Sequence, residues 1–123
     1  MTFLIPIRTK NGLNQRIHWA VRAKQVKAER QATRAAWLRA ARTARLLAVI
    51  ALDLGDDGPG LSVTLARIAP RQMDDDNLRG SLKAVRDEVA ACLGVDDGDA
   101  RVTWAYGQER GEPKQYGVRV VIE

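Results

Sequence analysis

Cysteine and histidine are almost absent from this chain of 123 residues, which has one of each. Cys92 alone cannot close an internal disulfide, so nothing argues for an oxidising compartment. One Cys and one His also exclude a structural zinc site built from four thiolates or from thiolate and imidazole pairs. Long apolar runs are missing too. The longest, Leu46 to Leu52, falls far short of the ~18 residues that a membrane helix needs. The N-terminus lacks a charged region followed by a long apolar stretch, which argues against a secretion signal. The expectation is a soluble cytoplasmic protein. Acids are scarce in one half only. Residues 1–52 carry eleven Lys and Arg against the single acid Glu29, a net charge of +10. Residues 53–123 carry nine basic and fourteen acidic residues, a net of −5.

What is present is globular. Apolar residues make up 46% and charged residues 28%, which excludes disorder and supports one domain with a modest core. The basic half favours a phosphate-bearing partner through Coulomb attraction and counterion release. Acid clusters repel such a partner or recruit a divalent cation between themselves and phosphate. A metal-dependent nuclease needs both. A solvated basic helix beside acidic loops needs neither function, and charge alone weighs the two readings about equally.

Residues 2–8 read as a short strand that Pro6 pushes toward an edge or an end. Residues 9–18 read as a polar loop around Gly12. Residues 19–48 have strong helix composition, and Trp19, Ala23, Val26, Thr33, Trp37, Ala40, Ala44 and Leu47 form an apolar stripe that Arg30 interrupts. A turn at 53–60 leads to alternating Leu61, Val63 and Leu65. A second helix spans 75–93, with Leu78, Leu82, Val85, Val89 and Cys92 on one face. Val102, Trp104 and Tyr106 alternate, as do Val118, Val120 and Ile122, and residues 107–117 are expected to join these two strands as a hairpin. The order β-α-β-α-β-β predicts an α+β two-layer sandwich, with about four strands in a mixed sheet and two helices.

Chemistry concentrates in Asp74-Asp75-Asp76-Asn77-Leu78. Three adjacent carboxylates repel, and a helix N-terminus is where a fold tolerates them. For an isolated triplet that structural role is the commoner one. If the chain is instead still extended there, Asp74 and Asp76 point to one side and can share a hard cation. On the helix that follows, Asp76, Gly80, Lys83 and Asp87 share the face opposite the apolar stripe. Lys83 then either stabilises charge on a phosphate or forms an ordinary i, i+4 pair with Asp87. Asp96, Asp97 and Asp99 form a second acid cluster after the helix, ~27 Å from its start, so only the fold can bring the clusters together. His18 is read as a surface or capping residue, the Trp and Tyr residues as core, and Cys92 as inert.

The run Asp74-Asp75-Asp76-Asn77-Leu78, then Lys83-Ala84-Val85-Arg86-Asp87, then Asp96-Asp97, resembles the RusA family of Holliday-junction resolvases, which are common in phages and prophages. The resemblance spans most of the chain and is specific over residues 71–102. It implies a small α/β homodimer that uses Mg²⁺, or Mn²⁺ in its place, to nick four-way DNA junctions symmetrically. It assigns Asp74, Asp76 and Asp97 as metal ligands and Lys83 as the catalytic lysine, with Asp99 replacing or supplementing Asp97 and Asp96 as a lesser candidate. The family lysine usually sits four residues after the second acid, where this chain has Gly80. Lys83 keeps its direction one turn further on. Arg8, Lys10, Asn14, Arg16, Arg22, Lys24 and Lys27 are the candidate contacts to DNA phosphates. A DNA-binding protein that kept the fold and lost the chemistry is the alternative.

Overall fold

A computed structural model describes residues 1–10, 19–41 and 60–123. In chain order these form β1 (Thr2–Ile5), α1 (Trp19–Ala40), β2 (Leu61–Ala69), α2 (Asp75–Ser81), α3 (Lys83–Leu93), β3 (Val102–Arg110) and β4 (Gly117–Ile122). The strands make one mixed sheet in the order β1-β4-β2-β3. β4 runs antiparallel to both β1 and β2, and β2 runs parallel to β3. The sheet and the helices over it are the expected α+β sandwich.

Alternation along the strands sends one side chain in two to the helices. Phe3 and Ile5, Val63 and Leu65, Val118, Val120 and Ile122, and Val102 are buried. They join Trp37 of α1, Leu78 of α2, and Val85, Val89 and Leu93 of α3 in one core. The Phe3 and Trp37 rings meet edge to face with centroids 6.1 Å apart.

The expected hairpin does not form. β3 and β4 are separated by β2, which pairs with both. β2 buries Leu61, Val63, Leu65, Ile68 and Ala69, so it gains most from two neighbours. β3 exposes Thr103, Ala105 and Arg110 and suits an edge. The connection turns back at 111–116, where the Gly111 amide donates to Ala69 O at 3.0 Å.

The expected single helix over 75–93 is two helices. Leu82, at φ −99° and ψ 1°, interrupts it. Gly80 weakens the helix here, and the Ser81 hydroxyl donates to the Leu78 carbonyl at 2.8 Å, a back-bond that bends helices. Leu82 itself is fully buried and anchors the bend. Gly94 ends α3 in the left-handed conformation, φ 77°, which costs a side chain least at glycine.

Of the described part of the stripe on α1, only Thr33 and Trp37 are buried, and Ala36 and Glu29 are buried beside them. Trp19 is 76% exposed rather than core, and Ala23 is exposed as well. Among the described residues, helix α1 packs mainly against α3 and β1. The expected helical residues 42–48, the loop at 11–18 and most of the turn at 53–60 lie outside the described residues.

Candidate functional site

The acid triplet sits at a helix start. Asp74 is the N-cap of α2, extended at φ −69° and ψ 166°, and its Oδ1 accepts from the Asn77 amide at 2.9 Å. Asp75 and Asp76 occupy the first turn, where the helix dipole favours anions. The extended geometry therefore stops at Asp74, and strand alternation does not align Asp74 with Asp76. The segment is clamped from β3, where the Gln108 side chain accepts from the Met73 amide and donates to its carbonyl, both at 2.8 Å.

Asp76 opens into a cleft of about 620 Å³. Its wall is built from α2 (Asp76, Arg79, Gly80), α3 (Lys83, Arg86), the loop after α3 (Asp97), β3 (Tyr106) and α1 (Arg22). The fold thus joins the two acid clusters that the sequence keeps apart. Asp76, Lys83, Asp97 and Arg22, each a candidate from sequence, line one cleft, while Asp74 is not part of its wall. Gly80 and Lys83 line the same cleft, and Lys83 pairs with Asp87 rather than with a group beside Gly80. Its Nζ lies 3.4 Å from Asp87 Oδ2, and the side chain is 68% exposed. Four cations face two carboxylates, so the cleft favours an anion even with both acids charged.

Arg86 connects the acids to the sheet. Its Nη1 donates to the Tyr106 hydroxyl and its Nη2 to the Asp97 carbonyl, both at 2.7 Å. Its guanidinium lies 4.8 Å from the centre of the Trp104 ring. Arg79 lies 5.6 Å from the Tyr106 ring centre. A second groove of about 400 Å³, lined by Asp75, Arg79, Arg86, Trp104 and Tyr106, shares Arg79, Arg86 and Tyr106 with the cleft. Sequence reasoning did not single out Arg79, Arg86 or Gln108; it read Trp104 and Tyr106 as core, and both aromatics are half-buried and pack against the core. The seven-residue spacing of Arg79 and Arg86, two helical turns, was the one signal available.

The remaining candidates lie elsewhere. Asp99 is held by Arg101, through Nε and Nη2 at 3.1 and 2.8 Å and the amide at 2.9 Å. These bonds hold its carboxyl well below the usual range, at about 2. Asp99 is thus a turn clamp and does not line the cleft. Asp96 gives its carbonyl to the Asp99 amide at 3.0 Å. Arg8 stacks 4.4 Å over the Tyr116 ring, and the Lys10 amide donates to Glu29 Oε1 at 3.1 Å. Burial pushes the Glu29 carboxyl up, against the bonds from Gln25 and Lys10. Lys24 and Lys27 are exposed on α1. Asn14, Arg16 and His18 lie outside the described residues.

Among the described residues, no three His, Cys, Asp or Glu side chains gather as a metal-holding group, and no helix is long and apolar enough to cross a membrane. No protein-family model and no curated protein matches the chain.

Proposed function

We propose that this chain is a cytoplasmic endodeoxyribonuclease of the RusA type, which resolves four-way DNA junctions by paired nicks in recombination and repair. The observation that supports this reading is the shared cleft. Asp76 and Asp97 come from different elements and open on one cation-rich space with Lys83, Arg79 and Arg22. Two carboxylates fit Mg²⁺, which takes one or two protein carboxylates and completes its shell with water and phosphate oxygens. Mn²⁺ is expected to substitute.

In this reading Asp76 and Asp97 hold the ion, and Asp74 stabilises the helix start that aims Asp76. The ion supplies Lewis acidity and a water of lowered pKa. Lys83 leaves its long contact with Asp87 to neutralise charge on the phosphate. Arg79 and Arg22 anchor the flanking backbone, Lys24 and Lys27 on α1, with Arg8 and Lys10, bind the DNA arms, and Asn14 and Arg16 are sequence candidates for the same role. Phosphate contacts of this kind select shape rather than sequence. A junction with two-fold symmetry presents two equivalent bonds, so a C₂ homodimer is the expected form.

Cleavage of a labelled synthetic four-way junction tests this reading. Symmetric nicks that require Mg²⁺ or Mn²⁺ support it. The second reading, a branched-DNA-binding protein without chemistry, draws on Gly80 at the usual lysine position and on Asp74 committed to capping. It expects salt-sensitive junction binding and no nicks with either metal.

A further inference from the structure

We infer that Arg86 is a positioning residue that holds the Asp97 loop against the cleft, and that it is not one of the cations that bind phosphate. Of the four cations around the cleft, Arg86 is the most committed to the protein. Both terminal nitrogens are used, one on the Tyr106 hydroxyl and one on the Asp97 carbonyl, at 2.7 Å each. One face of its guanidinium is covered by Trp104. The side chain is only 26% exposed, against 68% for Lys83.

The third nitrogen completes the picture. Arg86 Nε is buried and has no hydrogen-bond partner among the described residues. The nearest carboxylate oxygen paired with it is Asp97 Oδ2, at 4.0 Å. A movement of about 1 Å would bring this contact to hydrogen-bond length. The loop can thus tighten when the cleft is filled, with one Asp97 oxygen taken by Nε and the other left for the cleft. A planar fork is needed to reach the hydroxyl, the carbonyl and the carboxylate together, and a lysine ammonium cannot do so. The loop has further supports, the Asp99–Arg101 clamp and the bonds from the Val95 amide to Ala90 O, the Asp99 amide to Asp96 O and the Val102 amide to Asp99 O at 3.0–3.1 Å, and none of them holds the Asp97 carbonyl or carboxylate.

Arg86→Lys and Arg86→Gln test this, with Arg79→Gln as the contrasting cation. The readout is amide hydrogen exchange by mass spectrometry over residues 95–102, where the Asp99 and Val102 amides are hydrogen-bonded in the loop. Both Arg86 variants are expected to exchange there about tenfold faster than wild type, and Arg79→Gln at the wild-type rate. Tyr106→Phe removes one acceptor and is expected to give a smaller rise. The consequence for cleavage rests on the nuclease reading. Arg86→Lys should bind junctions within about twofold of wild type and need several times more Mg²⁺ for half-maximal nicking, while Arg79→Gln should weaken binding itself. Unchanged loop exchange in both Arg86 variants would overturn the inference, as would an Arg86→Lys protein that exchanges like wild type. Wild-type protein that neither binds nor nicks junctions would overturn the nuclease reading alone, since the exchange result stands without DNA.

Discussion

Two clusters of charge lie on different faces of α3, and they differ in what they leave unpaired. Toward α1, Glu88 is 8% exposed and receives Arg30 Nε at 3.1 Å and Arg34 Nη2 at 2.9 Å. Each carboxylate oxygen has a donor, and the cluster is closed. Toward β3, Asp76 has no partner among the described residues, Asp97 Oδ2 stands 4.0 Å from Arg86, and Lys83 reaches Asp87 only at 3.4 Å. Carboxylates and basic side chains make up both clusters, and charge composition does not distinguish them. The difference is that one set satisfies its own charges, as a support does, and the other keeps charge available, as a site for an anion and a cation must.

Substitutions can break this contrast or sharpen it. The largest effect is expected at the two cleft carboxylates, Asp76 and Asp97. Asp97→Asn should lower Mg²⁺-dependent nicking about a hundredfold or more, because it removes a charged ligand, and should leave the melting temperature near wild type. Quantified junction cleavage and a thermal melt check both halves. Glu88→Gln is expected to behave oppositely. Two charge-assisted hydrogen bonds are weakened at a buried position, a loss of about 1–2 kcal/mol, with cleavage at permissive temperature unchanged. Urea unfolding gives the first number. A smaller effect is expected at Arg79, where Arg79→Gln should weaken junction binding about equally for all sequences and reduce the slope of log affinity against log salt by about one. The smallest is a pH effect. The carboxyl of Asp99, held at about 2 by Arg101, is depressed below its ordinary value. Its contribution is present above pH 4 and is lost as the pH falls through 2. The melting temperatures of wild type and Asp99→Asn should therefore differ at pH 5 and converge toward pH 2.

Much of the fold is legible in the sequence, because periodicity reports burial. The alternation at Leu61–Leu65 and Val118–Ile122 and the helical spacing of Leu78, Leu82, Val85 and Val89 correspond to buried faces. Periodicity does not report partners. The alternating patterns of β3 and β4 are compatible with pairing to each other, and only the competition for β2 separates them. Nor does it report where a helix leaves the core, so Trp19 has the same spacing as Trp37 and the opposite burial. The bend at Leu82 was in principle visible in Gly80 and Ser81.

The candidate site was legible by residue type and less so by geometry. Asp76, Lys83 and Asp97 stand out in the sequence by residue type and spacing, but their meeting in one cleft depends on the loop after α3, which Arg86 holds by the Asp97 carbonyl. Asp74 carried the same signal as Asp76 and became a cap, because the helix starts one residue after it. Arg86 and Gln108 act through a carbonyl, a hydroxyl and a backbone amide, and such partners leave no trace in a linear pattern.

The contrast between the open and closed clusters is tested most directly by incubating a labelled four-way junction and Mg²⁺ with wild type, Asp76→Asn and Glu88→Gln, each at a temperature where it is folded. Wild type and Glu88→Gln are expected to give the same symmetric nicks, and Asp76→Asn none. Nicking by Asp76→Asn at the wild-type rate would contradict the assignment of the cleft as the catalytic site.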